Sequence, residues 1–486
     1  MKDFDPTTVA RKSIQGVFAL VSRTLIIQII TLIVGFLLTI FLSPSAFGVF
    51  FVVSAIIPFL QYFSDIGLAA ALVQKKDSVT EEDLKTTFTI QQSLVITIVL
   101  IALLLSSKVG KFYNLEGAGI YLFQAVVIAF FLSSLKTIPS IILERRLDFK
   151  KLVIPQVIEE LFFNVVVLVL AIKGFGITSF TYAVLARGFS GLITIYLIAP
   201  WRVGLGFSKE SAKKLLSFGV PFQLNSILAL IKDDLLVVYL GKVLPLAQVG
   251  YIGFAQKLAF KPLRLVMDNV IRITFPSFSR LQHNKGALSI AIEKSLFAVS
   301  FFTFPALFGL VILSPYLINA IPKYKQWEPA LLSLSFFAIN GFLSSLSTPL
   351  TNALNAIGKI KITLYLMIFW TIATWVLTPL GILFFGFNGV AIVSAIIALS
   401  VVLVVYITKR YISFDIFQII RYPFLSAFLM GSFLYLVSPI IIQNIPTLLL
   451  MVLLGAILYL SVIFLLAREQ IRADINLVKK NLLAAQ

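Results

Sequence analysis

Cysteine is absent from the 486 residues, and histidine occurs once, as His283. Disulfides and thiolate metal sites are thereby excluded, so neither a metal nor a redox cofactor is expected. His283 sits in the polar stretch SRLQHN and reads as a solvated loop residue rather than a proton relay. Charge is scarce as well. Only 13% of residues are charged against 59% hydrophobic, with a mean hydropathy of +1.01, a composition outside that of soluble domains. Long polar gaps are missing too, the largest being Ile412 to Arg421, Pro200 to Leu215 and Pro315 to Trp327. A membrane polymerase or ligase of sugar chains normally carries its catalytic groups on a sizeable extramembrane loop, and neither that loop nor an enzyme motif is found.

What is present is a series of long apolar runs. A bilayer core takes roughly 20 apolar residues per helix. Runs of that order lie near 14 to 42, 46 to 73, 86 to 106, 118 to 141, 152 to 173, 176 to 199, 216 to 241, 246 to 280, 289 to 313, 327 to 350, 362 to 385, 388 to 408, 421 to 441 and 445 to 466. Continuous stretches such as Leu94 to Leu105 exclude the short alternating segments of a β-barrel. The fold class is therefore an all-α polytopic membrane protein with about fourteen spans. The stretch from Met1 to Arg11 is polar, and the first apolar run is too long for a signal-peptide core and lacks a small-residue cleavage site, so the first helix is expected to remain attached.

Lys and Arg set the orientation, because basic residues near span ends are retained in the cytoplasm. The amino-terminal segment, alternate gaps and the tail hold twenty-five of them, in clusters such as Arg11 and Lys12, Lys75 and Lys76, Arg145 and Arg146, and Lys409 and Arg410. The other gaps hold six: Lys108, Lys111, Lys173, Lys242, Lys323 and Lys325. Both termini are expected in the cytoplasm. The formal net charge of +19 then reflects topology beside anionic lipid and calls for no nucleic-acid partner.

The chain also repeats itself at an offset of about 200 residues. Pro44 aligns with Pro245, Ala46 with Ala247, Gly48 with Gly250, Pro58 with Pro262 and Asp65 with Asp268. Each pair lies before or within the second helix of its half. These matches divide the chain into an N-terminal lobe, 1–205, a C-terminal lobe, 206–410, and two extra helices with a cytoplasmic tail, 411–486. Transporters of two parallel lobes hold substrate between them and alternate access by rocking.

Charges inside spans cost about 2.5 to 3.5 kcal/mol each on insertion scales, so they should face a cavity or a partner. Arg23, Lys136 and Arg187 lie in helices one, four and six. In helix eight, Lys257, Lys261, Arg264, Asp268 and Arg272 fall four, three, four and four residues apart, on one helical face. Four of those five are cationic, and the stripe suits a hydrated cavity that receives an anion. Lys232, Asp233 and Asp234 follow one another near the middle of helix seven. At 100° per residue they sweep about 200°, so one must meet another helix, or the helix is locally broken. Asp233, Asp234 and Asp268 then either neutralise the helix-eight cations or bind a coupling H+ or Na+. Glu159 and Glu160, nearer the cytoplasmic edge of helix five, raise the same question and also read as solvated helix-end residues. Asp65 suggests a helix-end or lobe-hinge role, and so would Asp268 at the close of the matching helix. Pro58, Pro221, Pro262 and Pro305 remove backbone donors within spans and mark either gating kinks or tolerated prolines.

The segment SPSAFGVFFVVSAIIPFLQYFSDIGLAAALVQKK resembles the opening of Wzx-type polysaccharide and O-antigen flippases of the multidrug/oligosaccharidyl-lipid/polysaccharide exporter superfamily. Pro44, Ala46, Phe47 and Gly48, with Asp65, Ile66, Gly67 and Leu68, carry the resemblance, and length and span number agree along the whole chain. It implies two six-helix lobes in a V arrangement, as in the MATE exporters, and a cytoplasmic-membrane location. It further implies that polyprenyl-pyrophosphate-linked oligosaccharide is moved to the outer leaflet, with polysaccharide polymerase or assembly proteins as possible partners. By analogy with the related lipid II flippases, helices thirteen and fourteen would shelter the lipid tail. A pyrophosphate head matches Arg and Lys chemistry, which makes Arg23, Lys136, Arg187, Lys257, Lys261 and Arg264 the candidate substrate contacts. The competing reading is an ion-coupled multidrug exporter of the same superfamily, for which Asp233 and Asp234 would matter more.

Overall fold

The computed structural model describes residues 24, 26–75, 79–146, 148–224 and 230–468. They are helical, without a strand among the described residues. Eleven helices, from Pro44–Asp65 to Ile445–Leu466, are long and apolar enough to cross a membrane. The other three expected spans fall short for separate reasons. The first is described only as α1, Ile26–Phe41; the seventh includes residues 225–229, which lie outside the described residues; the eighth carries Lys257, Lys261, Arg264, Asp268 and Arg272. Side chains such as Leu104, Leu197, Leu383 and Leu465 are exposed on the spans, as a lipid-facing surface requires.

The chain forms two compact units, Met1–Gly250 and Tyr251–Gln486. In the first unit, the second span is built in three pieces, α2 (Pro44–Ser54), α3 (Ile56–Asp65) and α4 (Leu68–Gln74). Ser43 caps α2, its hydroxyl accepting from the Ala46 amide at 3.3 Å, with Pro44 in the first turn. The break at Ala55 falls three residues before Pro58, which has no N–H for the turn behind it. The second break is a left-handed step at Ile66 (φ 46°) and Gly67 (φ 71°). A β-carbon on Gly67 would lie 2.2 Å from the Gly219 carbonyl oxygen, so glycine is required there by both conformation and contact.

The remaining helices of this unit are α5 (Glu81–Leu104), α6 (Ser106–Phe112), α7 (Gly117–Ser134), α8 (Thr137–Arg145), α9 (Phe149–Ile172), α10 (Thr178–Ile198) and α11 (Lys209–Leu224). A five-residue π turn, Leu230–Asp234, leads into α12 (Leu235–Val243). The run Lys232, Asp233, Asp234 therefore sits where the helix is locally widened. Leu68, Leu72, Leu84, Phe88, Ile138, Trp201 and Leu215 join α4, α5, α8 and α11 in one core. Arg145 stitches its edge: Nη1 donates to the carbonyls of Leu72 at 2.6 Å, Val73 at 3.1 Å and Lys75 at 2.8 Å, satisfying the open end of α4. Asp83, inside a capping box with Thr80, pairs with Lys75 at 2.6 Å. On the exposed start of α11, the Lys214 ammonium holds the Glu210 carboxyl below its ordinary value.

Within this unit the two sequence repeats meet. Helix α13 (Leu246–Leu281) starts one residue after Pro245, as α2 starts at Pro44. A β-carbon on Gly48 would fall 1.7 Å from the Leu246 carbonyl oxygen, and one on Gly250 would fall 2.0 Å from that of Pro44. Gly48 and Gly250 thus lie against each other, and neither has room for a side chain. The parallel ends further along. Helix α13 runs unbroken past Pro262, and Asp268, expected to close its helix as Asp65 does, lies thirteen residues before the last one, Leu281.

The second unit holds most of α13 with α14 (Lys285–Ala320), α15 (Ala330–Ala356), α16 (Ile360–Phe385), α17 (Asn388–Ala398), α18 (Val401–Lys409), α19 (Ile416–Ile441) and α20 (Ile445–Leu466). Its core runs through Leu296, Phe304, Leu350, Val404, Met430, Leu434, Met451 and Ile463. The last two helices are thus integral to that core. Tyr459 of α20 ties them to α14 by donating to the Phe301 carbonyl at 2.7 Å.

Candidate functional site

Glu159 and Glu160 of α9 are partly buried and paired, not solvated helix-end residues. Lys136, in the turn between α7 and α8, meets Glu159 Oε1 at 2.5 Å, and both side chains are about seven-eighths buried, 14% and 13% exposed. Arg187 of α10 meets Glu160 Oε1 at 2.5 Å through Nη2, while its Nε lies 4.0 Å from Glu159 Oε2 and its guanidinium 5.8 Å from the Phe163 ring centre. Gly191, one turn beyond Arg187, makes the room: a β-carbon there would sit 1.9 Å from Glu159 Oε1. Two cations and two carboxylates so form a neutral group. Lys136 and Glu159 also line a cavity of about 670 Å³ with Gln74, Glu144 and Gln156.

Arg23 lies outside the described residues. The other predicted contacts, Lys257, Lys261 and Arg264, stand on α13 in the second unit, Lys257 and Arg264 exposed and Lys261 half-buried. Among the described residues no carboxylate lies within ion-pair distance of Lys261 or Arg264. Asp268, one turn beyond Arg264, is exposed. Lys261 and Arg264 thus carry positive charge that no carboxylate meets among the described residues, while that of Lys136 and Arg187 is met.

The predicted ion-coupling carboxylates separate as well. Asp233 pairs with its neighbour Lys232 at 2.9 Å and is mostly exposed. Asp234 instead lines a second cavity, about 490 Å³, together with Pro58, Tyr62, Asp65, Gln91 and Thr137. Asp65 also caps α4, its Oδ1 accepting from the Ala69 amide at 3.2 Å. Gln91 and Arg145 are not among the expected site residues, Arg145 being counted only as a topology charge; a polar residue recurring inside a span is the signal that marks Gln91.

Residues 37–332 match the family described as polysaccharide biosynthesis protein. The chain belongs to that family. Its relatives include the lipopolysaccharide biosynthesis protein WzxC of Escherichia coli (strain K12), 24% identical over 377 residues, 75% of this chain and 74% of the relative. The succinoglycan biosynthesis transport protein ExoT of Rhizobium meliloti (strain 1021) is 24% identical over 395 residues, 80% of this chain and 77% of that one. Among solved structures, the lipid II flippase MurJ in an inward closed conformation superposes with a TM-score of 0.75 at 17% identity, covering 94% of this chain and all of MurJ. The polysaccharide biosynthesis family member described here therefore has the fold of a multi-pass membrane transporter.

Proposed function

We propose that the protein flips polyprenyl-pyrophosphate-linked oligosaccharide from the cytoplasmic to the outer leaflet of the cytoplasmic membrane, for cell-surface polysaccharide assembly. The observation that carries this reading is the row of Lys257, Lys261 and Arg264 on α13, in a chain of the polysaccharide biosynthesis family. Such cations, costly in a bilayer unless they meet water or an anion, match a pyrophosphate head, Arg by paired hydrogen bonds and Lys as a point charge. The head group enters a hydrated cavity from the cytoplasmic side, where both termini lie, while the polyprenyl tail stays in lipid. Rocking of the two lobes then exposes the head outward, and no bond is made or broken. Polysaccharide polymerase or assembly proteins would receive the product. Lys136 and Arg187 serve this scheme chiefly by holding α7, α9 and α10 together.

A second reading, export of cationic drugs, draws support from the cavity that Asp65 and Asp234 line without any basic residue among the described residues. Proteoliposomes separate the two. Purified protein is expected to translocate a polyprenyl-pyrophosphate oligosaccharide, with Lys261→Ala and Arg264→Ala each slowing the flux by about tenfold, the equivalent of one lost charged hydrogen bond. Unchanged flux in both variants, or a native chain that exports cationic dyes and flips nothing, would overturn the flippase reading.

A further inference from the structure

Residues 201–208, between α10 and α11, form no helix or turn and lie lengthwise on α5. Trp201 is buried against Phe88, the ring centres 5.1 Å apart. Further on, the Gly206 amide donates to Thr89 Oγ1 and the Ser208 amide to Thr86 Oγ1, each at 3.0 Å. Gly204 and Gly206 rest on Lys85, where β-carbons would lie 2.9 and 3.2 Å from its side chain. From Gly204 on, the even-numbered residues thus face α5. The residues between them face away, Val203, Leu205 and Phe207 being 58%, 77% and 66% exposed, the alternation of an extended chain covered on one side.

Two observations say what meets the outer side. Thr86 and Thr89 stand in the first turns of the span Glu81–Leu104, about 8 and 12 Å along its axis, which sets the segment where head groups give way to acyl chains. Water would satisfy the amides of an exposed segment unaided; hydroxyls of α5 do so instead, the provision that non-helical backbone needs at membrane depth. The charges agree. Arg202 precedes the apolar residues, Lys209 and Lys213 follow them, and all three are exposed. The carboxylate among them, Glu210, is held by Lys214 at 2.7 Å. Apolar side chains bracketed by cations suit an anionic lipid surface.

We propose that this segment is a docking strap for anionic phospholipid: Val203, Leu205 and Phe207 insert among the acyl chains at the membrane face where α5 begins, and Arg202, Lys209 and Lys213 meet the lipid phosphates. The strap leads directly into α11, whose Gly219 touches the left-handed step at Gly67. Mooring the strap in lipid therefore also steadies α11 against the kinked second span, whatever substrate the protein carries. The glycines are explained by the same arrangement, since only residues without side chains let the strap lie close enough to α5 for its amides to reach the two threonines.

The chain has no cysteine, so single cysteines take a fluorophore cleanly. Leu205→Cys and Phe207→Cys are labelled with NBD in the full-length chain, both at exposed positions whose loss leaves the bonds to Thr86 and Thr89 in place. Leu197→Cys, on the exposed side of a span, is the lipid reference, and His283→Cys, in an exposed turn, the water reference. Each is placed in nanodiscs of phosphatidylcholine, alone or mixed with phosphatidylglycerol, containing a phospholipid with a nitroxide high on its acyl chain. Labels at 205 and 207 should be quenched several-fold more than the label at 283, approaching that at 197, and more strongly with phosphatidylglycerol present. Arg202→Gln, Lys209→Gln and Lys213→Gln together should abolish the gain from phosphatidylglycerol and leave the quenching in phosphatidylcholine. Quenching no greater than at 283 overturns the strap, and so does shielding from both the nitroxide and aqueous iodide, which would mean that protein covers it. Equal quenching in the two lipid mixtures overturns the preference for anionic lipid. Transport is not measured, so none of these failures touches the flippase reading.

Discussion

The Lys136 and Glu159 pair permits a quantitative prediction, because its two side chains are largely buried and come from different helices. Removing one partner leaves an uncompensated charge, which costs 3 to 5 kcal/mol in a fully buried site. With 14% and 13% of the side chains exposed, and with Arg187 near enough to Glu159 to help, about 2 kcal/mol is a better figure for Lys136→Met or Glu159→Gln. Removing both charges leaves Arg187 with Glu160 and no lone charge. The double variant should therefore lose only about 1 to 2 kcal/mol, against about 4 if the two losses were independent, a coupling of about 2 to 3 kcal/mol. At about 2 to 4 °C per kcal/mol for a domain of this size, each single variant should melt about 4 to 8 °C below the native chain. Size-exclusion thermostability in detergent resolves such shifts. Additive losses, or single variants within 1 °C of native, would refute the buried pairing.

Three further outcomes follow from the packing. Gly67→Ala combines a left-handed conformation with a carbonyl 2.2 Å from the new carbon, so it should lower stability by well over the about 1 kcal/mol expected for Gly174→Ala, whose φ of 82° is left-handed but whose surroundings are open; parallel melting curves check the difference. Arg145→Ala removes the guanidinium that closes the end of α4 and should cost about 1.5 to 3 kcal/mol, with Arg145→Lys giving little rescue because an ammonium lacks the planar fork; protease nicking between α4 and α5 reads out the loosening. Tyr459→Phe deletes one interhelical hydrogen bond to Phe301 and should cost only about 0.6 kcal/mol, the usual value inside membranes, which a thermal shift near the detection limit would bear out.

The amino-acid sequence alone determined the helical membrane class, the places of eleven spans and the excess of basic residues in alternate gaps. Each is a property of the chain read in one dimension, since a bilayer demands that every span satisfy its own backbone and show apolar side chains to lipid. Tertiary structure decided which intramembrane charges are already answered. Lys136, Glu159 and Arg187 stand on three elements, and whether they meet depends on helix rotation and on the approach that Gly191 allows, neither of which a spacing within one helix encodes. The same holds for the cavity of Asp65, Gln91 and Asp234, gathered from α3, α5 and a π turn. By contrast, the spacing of Lys257, Lys261 and Arg264 within one helix put them on one face before any fold was known, because that helix needs no partner to align them.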